Sequence, residues 1–166
     1  MWTNGPWSGR LNRDERSCRT VIISTVHLIS AAVMTGVIWF TQIVHYPLFA
    51  RIPSEVSPAH AEENQRRTSY VVGVPMLVEG LTAIALFVSP PDGVSRWLPF
   101  VGGVLLAIVL LSTIALQVPR HAQLATPLTQ GEIDSVVRRL VVSNWVRTIG
   151  WSARTVIAAV IIAQVA

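Results

Sequence analysis

Charged residues interrupt segments of this chain that are otherwise apolar enough to cross a bilayer. The clearest examples are Glu79 and Arg154. An ionised side chain in hydrocarbon costs about 3 kcal/mol or more unless it has a partner, so such residues usually pair with each other or line a functional cavity. They are therefore the first candidates for chemistry in this chain.

A polar stripe runs along the last apolar segment. Asn144, Arg147, Trp151 and Arg154 follow one another at spacings of three, four and three residues, which places them on one face of a helix. The arginines offer positive charge and hydrogen-bond donors, and the asparagine can orient a bound molecule. This combination indicates a site for a small organic molecule that is anionic or quinone-like.

Other residues extend the predicted ligand-binding site. Gln42 and Gln117 are expected to orient the ligand, and Trp39 and Trp151 are expected to form flat apolar walls.

Two residues are candidates for catalysis, if the protein is an enzyme. His45 or Glu79 would accept a proton, because burial raises the pKa of a carboxyl group towards a useful range whereas a neighbouring arginine opposes that shift. His45 and His121 could also approach each other as paired imidazole ligands of a haem or a metal ion. Haem or metal binding is therefore kept as an alternative, and the sequence identifies no cofactor.

The elements that position these residues are membrane helices. The chain is 51% hydrophobic and only 13% charged, which is typical of a membrane protein. All basic residues are arginines, and they are dispersed along the chain rather than gathered in a patch for nucleic acid. A single cysteine, Cys18, excludes thiol–disulfide relay enzymes that need cysteine pairs.

Four segments are long enough to span the bilayer. They are approximately Thr20–Tyr46, Ser69–Val88, Trp97–Val118 and Leu140–Ala166. Short connections predict an all-α integral membrane four-helix bundle with antiparallel, up-down-up-down helices. Residues 1–19 are expected to form a disordered or surface-lying tail, and residues 20–166 a single four-helix transmembrane domain. The segments from Pro47 to Thr68 and from Pro119 to about Gly131 are predicted loops.

This topology brings the polar residues to one half of the bundle, where spans one and three end and spans two and four begin. Glu79 lies ten residues inside span two, or roughly 15 Å, and Arg154 lies at a similar depth in span four. We expect these two residues to form a pair near the midplane, beneath a wetter vestibule. Ala32 and Gly36, spaced four apart, are expected to let the first helix approach a neighbour closely.

Orientation follows from the arginine cluster before the first span. Arg10, Arg13, Arg16 and Arg19 favour a cytoplasmic N-terminus. An even number of spans then makes the C-terminus cytoplasmic too, and the bacterial inner membrane is the expected location.

Three short motifs resemble known membrane proteins. They are the run from Trp39 to Phe49, the step from Gln117 to His121, and the stretch from Asn144 through Arg154. Together they are similar to uncharacterised bacterial four-helix membrane proteins and, more distantly, to the anthrone-oxygenase-like family. This resemblance implies a small membrane enzyme that oxidises an aromatic substrate without an obvious cofactor.

The leading interpretation is a membrane protein with a buried polar pocket for a small organic ligand, and a small membrane oxidoreductase is the enzyme class that fits it. An alternative is a structural or accessory subunit of a larger membrane complex, whose partner would be another membrane protein. A transporter or channel is less favoured, because the polar residues occupy only one half of the bundle and give no path across it.

Overall fold

The protein is all-α and forms a four-helix bundle. The computed structural model describes the backbone of residues 6–165 and the side chains of residues 15–165. Its helices are α1 (Pro6–Phe40), α2 (Tyr46–Phe49), α3 (Ser57–Val88), α4 (Trp97–Ser112), α5 (Val118–Leu124) and α6 (Gln130–Val165). A π-helical turn at Thr41–His45 joins α1 to α2, and a second at Thr113–Gln117 joins α4 to α5.

Four continuous helical spans are long and apolar enough to cross a membrane. They are Glu15–Phe49, Ser57–Val88, Trp97–Leu124 and Gln130–Val165. Their outer faces carry large apolar side chains, such as Leu77 and Ile149, which are 63% and 64% exposed. An apolar surface of this extent suits contact with lipid.

The spans are arranged as a ring, in which α1 packs between α3 and α6, and α4 also packs between α3 and α6. Contacting pairs run in opposite directions along the chain, which is the pattern of antiparallel neighbours. Between the first and fourth spans, Thr35 contacts Thr155 and Gln42 contacts Asn144. Between the first and second spans, His27 contacts Thr82 and Phe49 contacts His60. Between the third and fourth spans, Gly102 contacts Arg154 and Gln117 contacts Ser143. The α3 and α6 helices therefore face each other across the core.

Two helices begin earlier than the sequence predicts. The α3 helix starts at Ser57 inside the expected loop, because Pro58 suits a helix start and Glu63 pairs with Arg66 and Arg67 one turn later. Similarly, α6 starts at Gln130 rather than near Leu140. The predicted loop after Pro119 shrinks as well, since α5 continues to Leu124.

The N-terminal segment is helical from Pro6 onward. Residues 1–5 of the predicted tail lie outside the described residues, and the proposed location of the tail at the membrane surface stays a prediction.

Close approach between helices occurs at a different glycine from the one expected. A Cβ at Gly150 would collide with the Val109 side chain, so α4 and α6 pack tightly there. At Gly36 a Cβ would meet nothing within 4 Å. The prediction for Gly36 was therefore wrong, because spacing of small residues identifies a smooth helix face but not the neighbour that covers it.

Candidate functional site

Two π-helical turns shape one half of the bundle. The Tyr46 N–H bonds to the carbonyl of Thr41, and the Val118 N–H bonds to that of Thr113. Each turn is followed by a proline near the start of the next helix, Pro47 or Pro119. Because proline has no N–H, the regular α-helical pattern is interrupted and the preceding turn widens. The turns place Gln42, His45 and Gln117 towards the interior.

A buried ion pair bridges the core below these turns. Arg154 Nε donates to Glu79 Oε1 at 2.7 Å, and Trp151 Nε1 donates to Glu79 Oε2 at 2.9 Å. The predicted Glu79–Arg154 pair is thus confirmed. Both carboxylate oxygens are occupied, and Glu79 is fully buried. The pair links α3 directly to α6, which are not neighbours in the ring.

The space beside Arg154 is too small for an organic ligand. Arg154 Nη1 donates to the carbonyl of Gly102, whereas Nη2 is buried and has no hydrogen-bond partner among the described residues. A void of about 10 Å³ lies between these groups and His27. This volume is at the lower limit for one water molecule.

A much larger cavity of about 700 Å³ lies in the half of the bundle that holds the π turns. It is bounded by α1, α3 and α6, by both π turns, and by the short helices α2 and α5 that follow them. One part of its wall is apolar and includes Met34, Val37, Ile38, Phe40 and Val72. The other part is polar and includes His45, Tyr46, Gln117, His121 and Arg147. Its lining contains no carboxylate within the described chain.

Two arginines line the cavity, Arg67 and Arg147; Arg67 is exposed and paired with Glu63, whereas Arg147 lies in the polar wall. Its Nη1 donates to Asn144 Oδ1 at 3.2 Å, and its guanidinium carbon lies 5.4 Å from the centre of the Trp151 ring. Its Nε is buried without a hydrogen-bond partner, and no carboxylate in residues 15–165 forms an ion pair with it. Arg147 thus differs from Arg154, whose charge is matched by Glu79.

Hydrogen bonds hold Arg147 and its surroundings in place. Asn144 Nδ2 donates to Gln42 Oε1 at 2.8 Å, and Gln42 Nε2 donates to the carbonyl of Val141 at 3.1 Å. Asn144 is therefore fixed on one side by Gln42 and presents its oxygen to Arg147.

A second set of contacts orders the opposite side of the polar wall. The Tyr46 hydroxyl lies 3.0 Å from His121 Nε2 and donates to Gln117 Oε1 at 3.3 Å. Gln117 Nε2 donates in turn to Ser143 Oγ at 2.9 Å. The remaining ring nitrogen of His121, Nδ1, is buried and has no partner among residues 15–165, and the same is true of His45 Nε2. Two imidazoles thus line the cavity with hydrogen-bonding capacity that protein atoms leave unused.

The predicted site residues fall into four groups. Those that line the cavity are His45, Gln117, His121 and Arg147. Those that lie behind its wall and contact or support Arg147 are Gln42, Asn144 and Trp151. Glu79 and Arg154 form the separate bridge below. Trp39 lies on the outer surface, where it donates to Ser152 Oγ at 3.0 Å and packs edge-on against Trp145.

Several lining residues were missed at the sequence level. Tyr46 was placed at the end of the first span but not in the ligand site, and Asn64, Gln65, Arg67 and Thr68 were assigned to a loop. The i to i+4 spacing of Glu63 and Arg67 was the available signal that this stretch is helical.

Metal-ligating side chains are sparse. Within the part of the chain that the structure describes, no group of three or more His, Cys, Asp or Glu side chains could hold a metal ion. His45 and His121 line the same cavity but have no acidic partner there.

No protein-family model matches the chain, and neither a curated protein nor a solved structure matches it. The geometry of the cavity is therefore the basis for assigning a function.

Proposed function

We propose that the chain is an integral membrane protein that binds a small anionic or quinone-like organic molecule in the 700 Å³ cavity. The observation that carries this proposal is the environment of Arg147. Its guanidinium lines the cavity, has an unpartnered Nε and lacks a carboxylate partner among the described side chains. Arg147 is partly buried, with its Nε fully shielded, and a cation removed from water without a counter-ion is costly, so an anionic or electron-rich ligand would offset that cost.

The size and surface of the cavity support the same ligand class. Pockets for small organic molecules commonly have volumes of about 300–1,000 Å³, with mainly apolar walls and a few polar groups that fix orientation. Here Met34, Ile38 and Val72 offer the apolar wall, while Gln117 and Arg147 supply polar contacts. A flat ring with oxygen substituents would use both parts.

The proposal extends to a role for His45 in proton transfer. Its Nε2 is buried at the cavity and has no partner in the described part of the chain, so it is available to accept a proton from a ligand hydroxyl group. Glu79, the other candidate base, is occupied by Arg154 and Trp151 and does not line the cavity. The resemblance to the anthrone-oxygenase-like family implies an aromatic substrate, and in this proposal its acidic ring hydroxyl group lies near His45.

Haem or metal binding is a second candidate, because unpartnered nitrogens of His45 and His121 line one cavity. The positive charge of Arg147 at the same wall favours an anion over a cation. A UV–visible spectrum and elemental analysis distinguish an organic-ligand site from a haem or metal site, if the protein is purified in mild detergent from its native membranes. A Soret band or a stoichiometric metal would support the second candidate.

The proposed location is the bacterial inner membrane with both termini in the cytoplasm. It is supported by the arginines that precede the first span. In this orientation the cavity lies in the half of the bundle away from the cytoplasm.

Binding of 2-hydroxy-1,4-naphthoquinone, an anion at neutral pH, tests the proposal. We expect the wild-type protein to bind it in lipid nanodiscs and Arg147→Gln to bind about 10- to 100-fold more weakly, since a hydrogen bond to a charged group contributes about 1.5–3 kcal/mol. Arg138→Gln is the matched control, because Arg138 is exposed on the same helix. No binding by the wild type, or equal loss in both variants, would contradict the proposal; absence of binding would favour an accessory-subunit role.

A further inference from the structure

The wall of the 700 Å³ cavity is incomplete where α1 meets α3. Phe40 and Val71 line the cavity from these two helices, yet they are 59% and 58% exposed at the protein surface. Gly36, one turn before Phe40, also lines the cavity and is exposed. A side chain that borders a cavity and the outer surface at once marks an opening between them.

This opening lies beside the apolar surface of the bundle. Gly36 is ten residues, or about 15 Å, deeper in its span than Tyr46 at the start of α2. The neighbouring outward-facing residues are apolar: Val33 is 44% exposed and Val74 is 67% exposed. The opening therefore faces hydrocarbon along part of its length. Arg67, one turn before Val71, lines its more polar end.

Glycine at position 36 keeps the opening clear. A Cβ there would meet no atom within 4 Å, so the position borders open space rather than a neighbouring helix. Tight packing does not require this glycine, in contrast to Gly150. The absence of a side chain instead leaves a path between the cavity and the surface.

We propose that the cavity takes up its ligand laterally from the bilayer and that the ligand is a lipid-soluble amphiphile. This inference rests on the proposed function, because it assigns the acidic or quinone-type ring to the Arg147 end of the cavity. The apolar tail of the ligand leaves the bundle between Gly36 and Val71 and lies among the lipid chains. A tail in this path needs no change in the helices, whereas a bulky side chain at position 36 occupies the same space.

The test compares two ligands in lipid nanodiscs: 2-hydroxy-1,4-naphthoquinone and its 3-undecyl derivative. Affinities are expressed per mole fraction of ligand in the bilayer, so that partitioning of the tail into lipid does not count as binding. We expect Gly36→Phe to weaken binding of the undecyl compound at least tenfold and that of the unsubstituted ring less than threefold. Val71→Trp, on the opposite side of the opening, should show the same pattern. It provides the test of the lateral path if Gly36→Phe does not fold.

Matched controls lie on the same surface but outside the cavity. Gly73→Phe and Val74→Trp add the same side chains at exposed positions of α3 that do not line the cavity, and both should bind the two compounds as the wild type does. Equal loss of both ligands in Gly36→Phe and Val71→Trp, unchanged binding in both variants, or the same loss in the controls would overturn the lateral path while leaving the ligand site intact. Failure of the wild type to bind either ligand would instead overturn the proposed function itself.

Discussion

Replacement of Glu79 by glutamine should destabilise the bundle more than removal of the whole ion pair. Glu79 is fully buried, and its two oxygens accept from Arg154 at 2.7 Å and from Trp151 at 2.9 Å. Glutamine keeps the shape but has only one acceptor oxygen, and its NH₂ group faces a donor. Arg154 then becomes a buried charge without a counter-ion.

The size of the effect follows from two contributions. Loss of hydrogen bonds between membrane helices alone would cost about 0.6 kcal/mol each, or roughly 1 kcal/mol for two bonds. An uncompensated buried charge raises the cost to about 3–5 kcal/mol in soluble proteins. We expect about 3 kcal/mol for Glu79→Gln, the lower end of this range, since the small void beside Arg154 is just large enough for one water molecule that would hydrate its charge in the folded variant.

The paired variant Glu79→Met/Arg154→Met provides the decisive comparison. It removes both charges, so the main remaining loss is the unpaired Trp151 Nε1, at about 1–2 kcal/mol. Unfolding in mixed micelles with increasing SDS, followed by circular dichroism, measures the free energies, with exposed Glu62→Gln as control. The unpaired charge of Arg154 would not be the cause of the destabilisation if the double variant were less stable than Glu79→Gln, or if Glu79→Gln lost less than about 1 kcal/mol.

Two further variants test the packing of α4 on α6 and the support of the ligand site. Gly150→Leu should lower the unfolding free energy by about 1–3 kcal/mol, because a Cβ already collides with Val109, whereas Gly103→Leu has open space and should change it little. An SDS unfolding midpoint for Gly150→Leu equal to that of Gly103→Leu would contradict the packing. Asn144→Leu removes the Oδ1 acceptor that lies 3.2 Å from Arg147 Nη1. This variant should weaken naphthoquinone binding about threefold to tenfold in a nanodisc titration. Wild-type affinity in the variant would show that Arg147 needs no such support.

The bundle and its central ion pair could be predicted because membrane constraints are strong. Span length follows from bilayer thickness, and depth follows from the helical rise. The stripe of Asn144, Arg147, Trp151 and Arg154 was expected to share one inward face. Asn144, Trp151 and Arg154 are at most 1% exposed, and Arg147 is partly buried and lines the cavity. The same depth estimate paired Arg154 with Glu79.

The cavity itself could not be predicted, since it arises from packing between helices rather than from any one segment. Helical spacing placed Arg147 and Trp151 on one face, but the wider π turns and the starting point of α3 determine which of them borders open space. Trp39 illustrates the same limit: its position near a span end was visible in the sequence, while its contact with Ser152 on the outer surface depends on helix rotation.

The central claim is that Arg147 recognises negative charge in the cavity. The most direct measurement compares 2-hydroxy-1,4-naphthoquinone with its neutral 2-methoxy ether on the wild type and on Arg147→Gln in nanodiscs. We expect the wild type to prefer the anion by about tenfold or more and the variant to lose this preference while still binding the ether. An equal preference for the anion in both proteins would contradict it.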